Sequence, residues 1–308
     1  FAVTVNGEVT YRTRMAETVR LMFHLRQLFP KHAGDNGWQN APNLIADYRF
    51  IWDRRRYPRR EISKDAALIE ITRPINSTHL KSAIKELIKF DLARFQVEAT
   101  NKILRTFSSK ARSSVTLITA GTGSGKTLAF YIPALAKIAE AILIDQNSDE
   151  YVKSLAIYPR NELLKDQFSE VYREVRKLDS LLTKHGKRKI KIATLFGPTP
   201  ENQNKLRNDN GTYKWRRSEV NGGYICEFLN CPKHDCTGDM LWLDTDRKKN
   251  LEQLICSVCT HKIRQDEIIL TRERLTKECP DILFTTIETL NQRLGDNRWN
   301  QLFGVGQS

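Results

Sequence analysis

Two groups of residues in this chain have the types and spacing for chemistry. The first is Thr119-Ala120-Gly121-Thr122-Gly123-Ser124-Gly125-Lys126-Thr127. Its glycines let the backbone wrap closely with N–H groups turned inward, and a helix opening at Lys126 adds the positive end of its dipole, which makes an anion nest. Lys126 is spaced to set its ammonium between β- and γ-phosphates, and Thr127 to ligate Mg²⁺ through its hydroxyl, so these two are the candidate catalytic pair. Ala120, Gly121, Thr122, Gly123, Ser124 and Gly125 complete the cradle. The chemistry is capture of a nucleoside triphosphate with Mg²⁺.

The second group is cysteine. Five of the six cysteines fall between Cys226 and Cys259, with Cys279 apart from them. Cys231 and Cys236 form one pair, Cys256 and Cys259 another, and 19 residues separate the pairs. Two such knuckles are the pattern of a ribbon in which four thiolates hold one tetrahedral Zn²⁺. Cys226, His234 and His261 are alternative ligands. A closed four-thiolate site has no open position, so its role is structural, holding a loop-rich module that has no core of its own. Around it, Lys214, Trp215, Arg216, Arg217, Trp242 and Arg247 to Lys249 combine charge with aromatic rings, which suits a nucleic-acid or partner surface.

A phosphate-binding loop needs a strand before it and a helix after it. Residues 114–119 read as a buried strand and 126–141 as the helix. Further strands are expected at 154–158, 191–196 and 281–286, with helices at 162–178 and 287–294. Strands alternating with helices predict a mainly parallel sheet covered on both faces. Residues 1–90 read as a helical N-terminal extension, with amphipathic stretches at 16–29 and 81–90, and 95–107 is a further helix. The expected domains are 1–90, the α/β domain at 91–200, a zinc-binding insertion at 201–278, and the α/β domain resumed at 279–308. The basic run at 52–61 is either a solvated loop or a nucleic-acid contact, and the run at 184–191 reads as a solvated loop before a strand.

The chain has 308 residues, 40% hydrophobic and 9% aromatic, which excludes wholesale disorder and low-complexity fibre. Fifty Lys and Arg against 36 Asp and Glu give a net charge of +14, which favours polyanionic partners. No apolar run approaches the roughly 20 residues of a bilayer span, and no signal-peptide order opens the chain. The composition reads as a cytoplasmic chain with no membrane partner.

The order Phe95-Gln96 with Ala99, then Ala120 to Thr127 with Leu128-Ala129-Phe130 and Pro133, then Tyr158-Pro159-Arg160-Asn161-Glu162-Leu163 with Gln167, resembles the first RecA-like domain of superfamily 2 DEAD/DEAH-type helicases. Ala120, a departure from the generic loop, is the usual residue in that family. The resemblance continues in 195–200 and 280–290. It implies an α/β fold: a RecA-like P-loop domain with a mainly parallel sheet, the helical extension in front and a zinc-ribbon-like module inserted. It also implies ATP and Mg²⁺ beside the Zn²⁺ read from the cysteines, with nucleic acid as partner, DNA favoured over RNA. Gln96 then reads the adenine edge and Phe95 covers the base. Arg160 holds a backbone phosphate or makes an interdomain salt bridge, Gly197 allows close approach, and Thr285 and Thr286 meet phosphates through amide and hydroxyl. The last block and the cysteine insertion look most like large bacterial helicases of the MrfA-related type, including those of anti-phage systems such as DISARM and Druantia, where a protein partner is expected.

Hydrolysis in that family needs an Asp-Glu pair after an apolar strand. Asp149-Glu150, Asp145 and Asp244 do not stand in such a context, and the family order puts the pair shortly after Leu294. The expectation is therefore a portion of a longer motor, inactive alone, whose second RecA-like domain comes from further sequence or another chain. The competing expectations are a nucleotide-switched adaptor and, more weakly, a small-molecule phosphotransferase.

Overall fold

A computed structural model describes residues 58–107, 113–120, 125–144, 151–206, 214–219 and 222–304, together with the backbone of two short strands near the N-terminus. The expected helix at 16–29, the first part of the basic run at 52–61, loop residues Gly121, Thr122, Gly123 and Ser124, and Asp145, Asp149 and Glu150 lie outside the described residues.

The chain divides into two compact units, Phe1–Arg56 and Tyr57–Ser308. In the first, β1 (Ala2–Val5) and β2 (Glu8–Tyr11) pair antiparallel with Ala2 opposite Tyr11 and Val5 opposite Glu8. This differs from the helical reading of 1–90. The overlooked signal is Asn6-Gly7 between two β-rich tetrads, the sequence of a two-residue hairpin turn.

The second unit opens with α1 (Lys64–Thr72), α2 (Thr78–Leu87) and α3 (Arg94–Phe107). Ser63 and Ser77 cap α1 and α2 by accepting from Ala66 N and Leu80 N, and the Ser77 cap starts α2 three residues ahead of the expected position. The face Leu80, Ala83, Ile84, Leu87 is buried. Next comes α4 (Lys126–Ile144), 19 residues long. By length and composition alone it could cross a membrane, contrary to the expectation that no run comes close. Lys137 and Glu140 interrupt its apolar sequence but pair with each other at 2.5 Å, and most of the helix is buried in the protein core.

The α/β part continues with β3 (Ser154–Tyr158), α5 (Asn161–Arg176), α6 (Asp179–Lys184) and β4 (Ile192–Leu195). The inserted region then supplies β5 (Arg217–Ser218), β6 (Gly223–Asn230), β7 (Asp239–Leu243), α7 (Asp244–Lys248), β8 (Leu254–Cys256), β9 (Lys262–Ile263), β10 (Ile268–Ile269) and α8 (Arg272–Leu275). The chain closes with β11 (Ile282–Thr286), α9 (Ile287–Arg293), a 3₁₀ turn at Asn297–Trp299 and α10 (Asn300–Phe303).

Among the described residues the parallel sheet has the order β10-β4-β11-β3. Both faces are covered. Ile192, Ile282 and Phe284 enter the main core, while Ala193, Leu195 and Leu283 point to a smaller one completed by Trp299 and Leu302. Strand β10 comes from within 201–278, so the expected insertion lends a strand to the domain that it interrupts.

The expected strand at 114–119 does not form. Residues 113–120 are irregular, with Val115 93% and Leu117 82% exposed. A strand is held by its neighbours rather than by β-propensity alone, and β3, at the sheet edge, pairs only with β11 among the described residues. Leu155 and Ile157 on β3 are correspondingly half-exposed.

The basic run at 184–191 is not a solvated loop either. Asp281 is buried and accepts from both Arg188 Nη1 and Nη2 (2.7 and 2.9 Å) and from Lys191 N (2.8 Å), with Lys153 Nζ at 2.9 Å. Lys189 bonds Glu267 at 2.5 Å and Lys191 bonds Glu278 at 3.0 Å. The positive charges are held by acids far along the chain, which no local reading reveals.

Candidate nucleotide and nucleic-acid site

The helix that follows the phosphate loop is fixed from three sides. At its mouth Gly125 has φ +81°, the left-handed region that favours glycine, and a Cβ there would lie 2.7 Å from Gln96 Nε2. The buried Gln96 amide accepts from Ala93 N–H and donates to the Gly125 carbonyl, both at 2.9 Å. Lys126 Nζ donates to the Ala120 carbonyl and so closes the two ends of the loop. Thr127 follows, half-buried, in the first turn of α4, and Phe95, also half-buried, stands beside Gln96. Both arms of the Gln96 amide thus engage the protein's own backbone.

One turn further, Tyr131 reaches the strand that ends at the nucleic-acid candidates: its hydroxyl lies 2.6 Å from the hydroxyl of Tyr158, the last residue of β3. Burial raises both phenol pKa values, so the pair is a neutral hydrogen bond. Sequence reasoning missed it, because nothing in the spacing of two tyrosines 27 residues apart marks a contact.

Arg160 follows Tyr158 by two residues. It is the N-cap residue of α5, is exposed, and makes no side-chain capping bond. Gly197 follows β4. Thr286 caps α9, accepting from Thr289 N at 3.3 Å, whereas Thr285 is fully buried and donates its hydroxyl to the Leu195 carbonyl at 2.7 Å. Arg160, Gly197 and Thr286 therefore lie at the C-terminal ends of three parallel strands, the edge at which open α/β sheets bind ligands. The Thr285 hydroxyl is committed to the sheet, so any phosphate contact at that position falls to backbone amide.

The four cysteines form the second constellation. The sulfur atoms of Cys231, Cys236, Cys256 and Cys259 all lie within 4.8 Å of one another, with Cys231–Cys259 at 3.4 Å and Cys236–Cys256 at 3.6 Å. A tetrahedron with Zn–S bonds of about 2.3 Å has edges of about 3.8 Å, so the cradle fits the ion. Backbone amides aim at the sulfurs: those of Val258 and Cys259 at Cys256 Sγ (3.4 and 3.5 Å), that of Lys233 at Cys231, Gly238 at Cys236 and His261 at Cys259. The His261 amide is the main reason that the Cys259 thiol is lowered to about 7. Gly238 leaves no room for a side chain, since a Cβ would sit 2.5 Å from Cys256 Sγ. Cys226 is outside the group, its thiol pushed up to about 12 by burial. His234 pairs instead with Asp235, and His261 contributes its backbone.

The module carrying these cysteines is an antiparallel meander, β5-β6-β7-β8-β9, and it is not a free-standing lobe. Phe228 packs edge-on against Phe168 of α5 and Phe196 after β4, and Trp215 and Trp242 pack around it. Trp215 donates to the Pro198 carbonyl at 2.9 Å and Trp242 to the Leu251 carbonyl at 2.8 Å. Both tryptophans are buried, which removes them from the aromatic surface expected around 214–249. Their rings are the joint between the two sheets.

Residues 93–210 match the DEAD/DEAH box helicase family. The match spans Gln96, the phosphate loop, Arg160 and Gly197, and stops ahead of the cysteines. It supports a place in the helicase superfamily, a nucleic-acid-dependent ATPase of helicase type, and ATP with Mg²⁺ as its nucleotide and metal. The parallel sheet fits a RecA-like fold. No curated protein and no solved structure matches the chain.

Proposed function

We propose that this chain serves an ATP-driven DNA helicase or translocase. The observation that carries the reading is the short bridge from the phosphate loop to the sheet edge: Gln96 on Gly125, Lys126 heading α4, and Tyr131 on Tyr158 beside Arg160. In this reading Gly121 to Gly125 cradle the phosphates, Lys126 and Thr127 meet the β,γ-phosphates and Mg²⁺, Phe95 covers the adenine, and Gln96 braces the loop or, where its backbone bonds are exchanged, meets the base. Arg160, Gly197 and Thr286, with the amide of Thr285, hold backbone phosphates. A second RecA-like lobe, from the same polypeptide or another chain, closes on the nucleotide, and closing and opening alternate the grip on the strand. An apolar strand bearing the acidic pair would find its place at the edge of β3 that is unpaired among the described residues.

Zinc is held by Cys231, Cys236, Cys256 and Cys259 and supplies fold rather than catalysis, because four thiolates leave no position for substrate. The cysteine module and the wording of 280–290 favour the MrfA-related helicases, with a defence role in bacteria and a cytoplasmic location.

The deciding experiment is Lys126→Ala in the assembled motor. Loss of DNA-stimulated ATP turnover with an unchanged thermal transition is expected; retained turnover removes Lys126 from its role. Parallel stimulation curves with single-stranded DNA and RNA of one sequence decide between the two polymers. An adaptor reading draws on the irregular segment 113–120 and is chosen if nucleotide binds and no assembly turns it over.

A further inference from the structure

Two cavities flank the cysteine module, and they differ in charge. One, of about 340 Å³, is lined by Glu252, Glu273 and Glu278 together with Arg274 and Lys277, and those acids and bases already pair with one another. The other, of about 410 Å³, lies where the last turns of α5 meet the two cysteine knuckles. Arg173, Arg176 and Tyr172 line it from the helix, and Pro232, Lys233 and His261 from the module. No carboxylate lines it.

Two of its cations, Arg173 and Lys233, are available, while Arg176 is engaged at the back of the groove. Arg173 and Lys233 are exposed, and neither side chain enters an ion pair or hydrogen bond among the described residues; Glu170, one turn before Arg173, acts on it only at longer range. Arg176 donates one N–H to the Ile190 carbonyl and lies 3.4 Å from Asp179 and 3.9 Å from Glu267, yet its buried Nε and Nη1 have no hydrogen-bond acceptor. Pro232 and the Tyr172 ring give the cavity apolar walls. A cationic rim over apolar walls matches a phosphodiester with its sugar or base lying below.

We propose that this groove is a second anchorage for the polynucleotide backbone, formed jointly by α5 and the cysteine module. The proposal rests on the helicase reading and extends it. Arg160 heads the helix that ends at Arg176, and Arg173 is 13 residues further along, about 20 Å at 1.5 Å per residue. A strand held at the sheet's C-terminal edge therefore has a second grip one helix length away. The insertion gains a function beyond bracing: without its knuckles the helix would offer isolated arginines and no groove.

The test uses the full, zinc-loaded chain and a fluorescein-labelled, mixed-sequence single-stranded DNA oligonucleotide, followed by anisotropy from about 50 to about 200 mM salt. In Arg173→Gln/Lys233→Gln the slope of log affinity against log salt should become shallower by about 0.7 per lost phosphate contact, about 1.4 in all. Zinc content and ATP·Mg²⁺ affinity should stay unchanged. Superposable salt dependences for variant and wild type overturn the groove and leave the helicase reading standing. Failure of the wild-type chain to bind the oligonucleotide overturns both. Binding of poly-glutamate that the double variant loses, with DNA binding intact, also overturns the proposal and makes the groove a protein-docking face.

Discussion

The phosphate loop and the cysteine module draw their support from different places. The two ends of the loop are held by Gln96 donating to the Gly125 carbonyl and Lys126 donating to the Ala120 carbonyl, while the segment that leads into it forms no strand and leaves Val115 and Leu117 in solvent. The module has few residues in regular structure, yet its strands are locked by Trp215, Trp242 and Phe228 against Phe168 and Phe196. One region carries residues suited to nucleotide capture behind a lead-in exposed to solvent; the other is closed by aromatic packing, and four thiolates on one ion would leave no position for substrate. In the helicase reading that division is useful, since a loop that must accept and release nucleotide is best drawn from the weakly held end of the stability range.

The largest effect should come from removing the metal ligands. Cys256→Ser/Cys259→Ser is expected to lose one zinc per chain by metal analysis, in sites where binding contributes about 10–16 kcal/mol to folding. Because the module shares its core with α5, tryptophan emission should shift to the red together with the metal loss, reporting Trp215 and Trp242. Unchanged metal content ends the zinc proposal. Metal loss with unshifted emission would show that the aromatic joint stands alone, and would break the contrast drawn above from the module's side.

A pair of substitutions tests the contrast directly. Phe228→Ala removes the ring at the meeting of the two sheets and should cost about 3–5 kcal/mol in denaturant unfolding. Leu117→Ser, at a residue 82% exposed, should stay within about 0.5 kcal/mol. A large cost at Leu117 would mean that residues 113–120 pack in solution, and the supposed open edge of the sheet would be filled.

What the sequence made legible follows the same line. Helices and strands whose signals are local came through: α3, α4, β3, β4 and β11 lie within a few residues of expectation, since capping serines, apolar periodicity and short β-branched runs act over one or two turns. The gathering of Cys231, Cys236, Cys256 and Cys259 was legible too, because knuckle spacing is a local property. The failures are long-range. Residues 114–119 have the composition of a strand and, among the described residues, lack a neighbouring strand. The 184–191 run has the composition of a solvated loop and finds Asp281, Glu267 and Glu278 some 80 to 90 positions later. Trp215 and Trp242 looked like a surface because the rings they pack in, their own and that of Phe228, come together only across the fold.

Among the variants expected to lose stability, the smallest loss bears on the loop itself. Gln96→Ala leaves Ala93 N–H and the Gly125 carbonyl without their partners, at a site where the glutamine was buried, which should cost about 1–3 kcal/mol. Gln96→Glu separates the two bonds: the carboxylate can still accept from Ala93, but it sets an acceptor against the Gly125 carbonyl. If the Gly125 bond shapes the loop, the Glu variant should resemble Ala in nucleotide affinity by calorimetry while losing less stability. If Gln96 instead acts through the adenine, ATP affinity should fall in both variants while affinity for inorganic triphosphate, which has no base, stays at the wild-type level. Weakened triphosphate binding in the Glu variant would place the glutamine's influence on the phosphates, through the carbonyl next to Lys126, and would make the loop's local bonds a part of its chemistry.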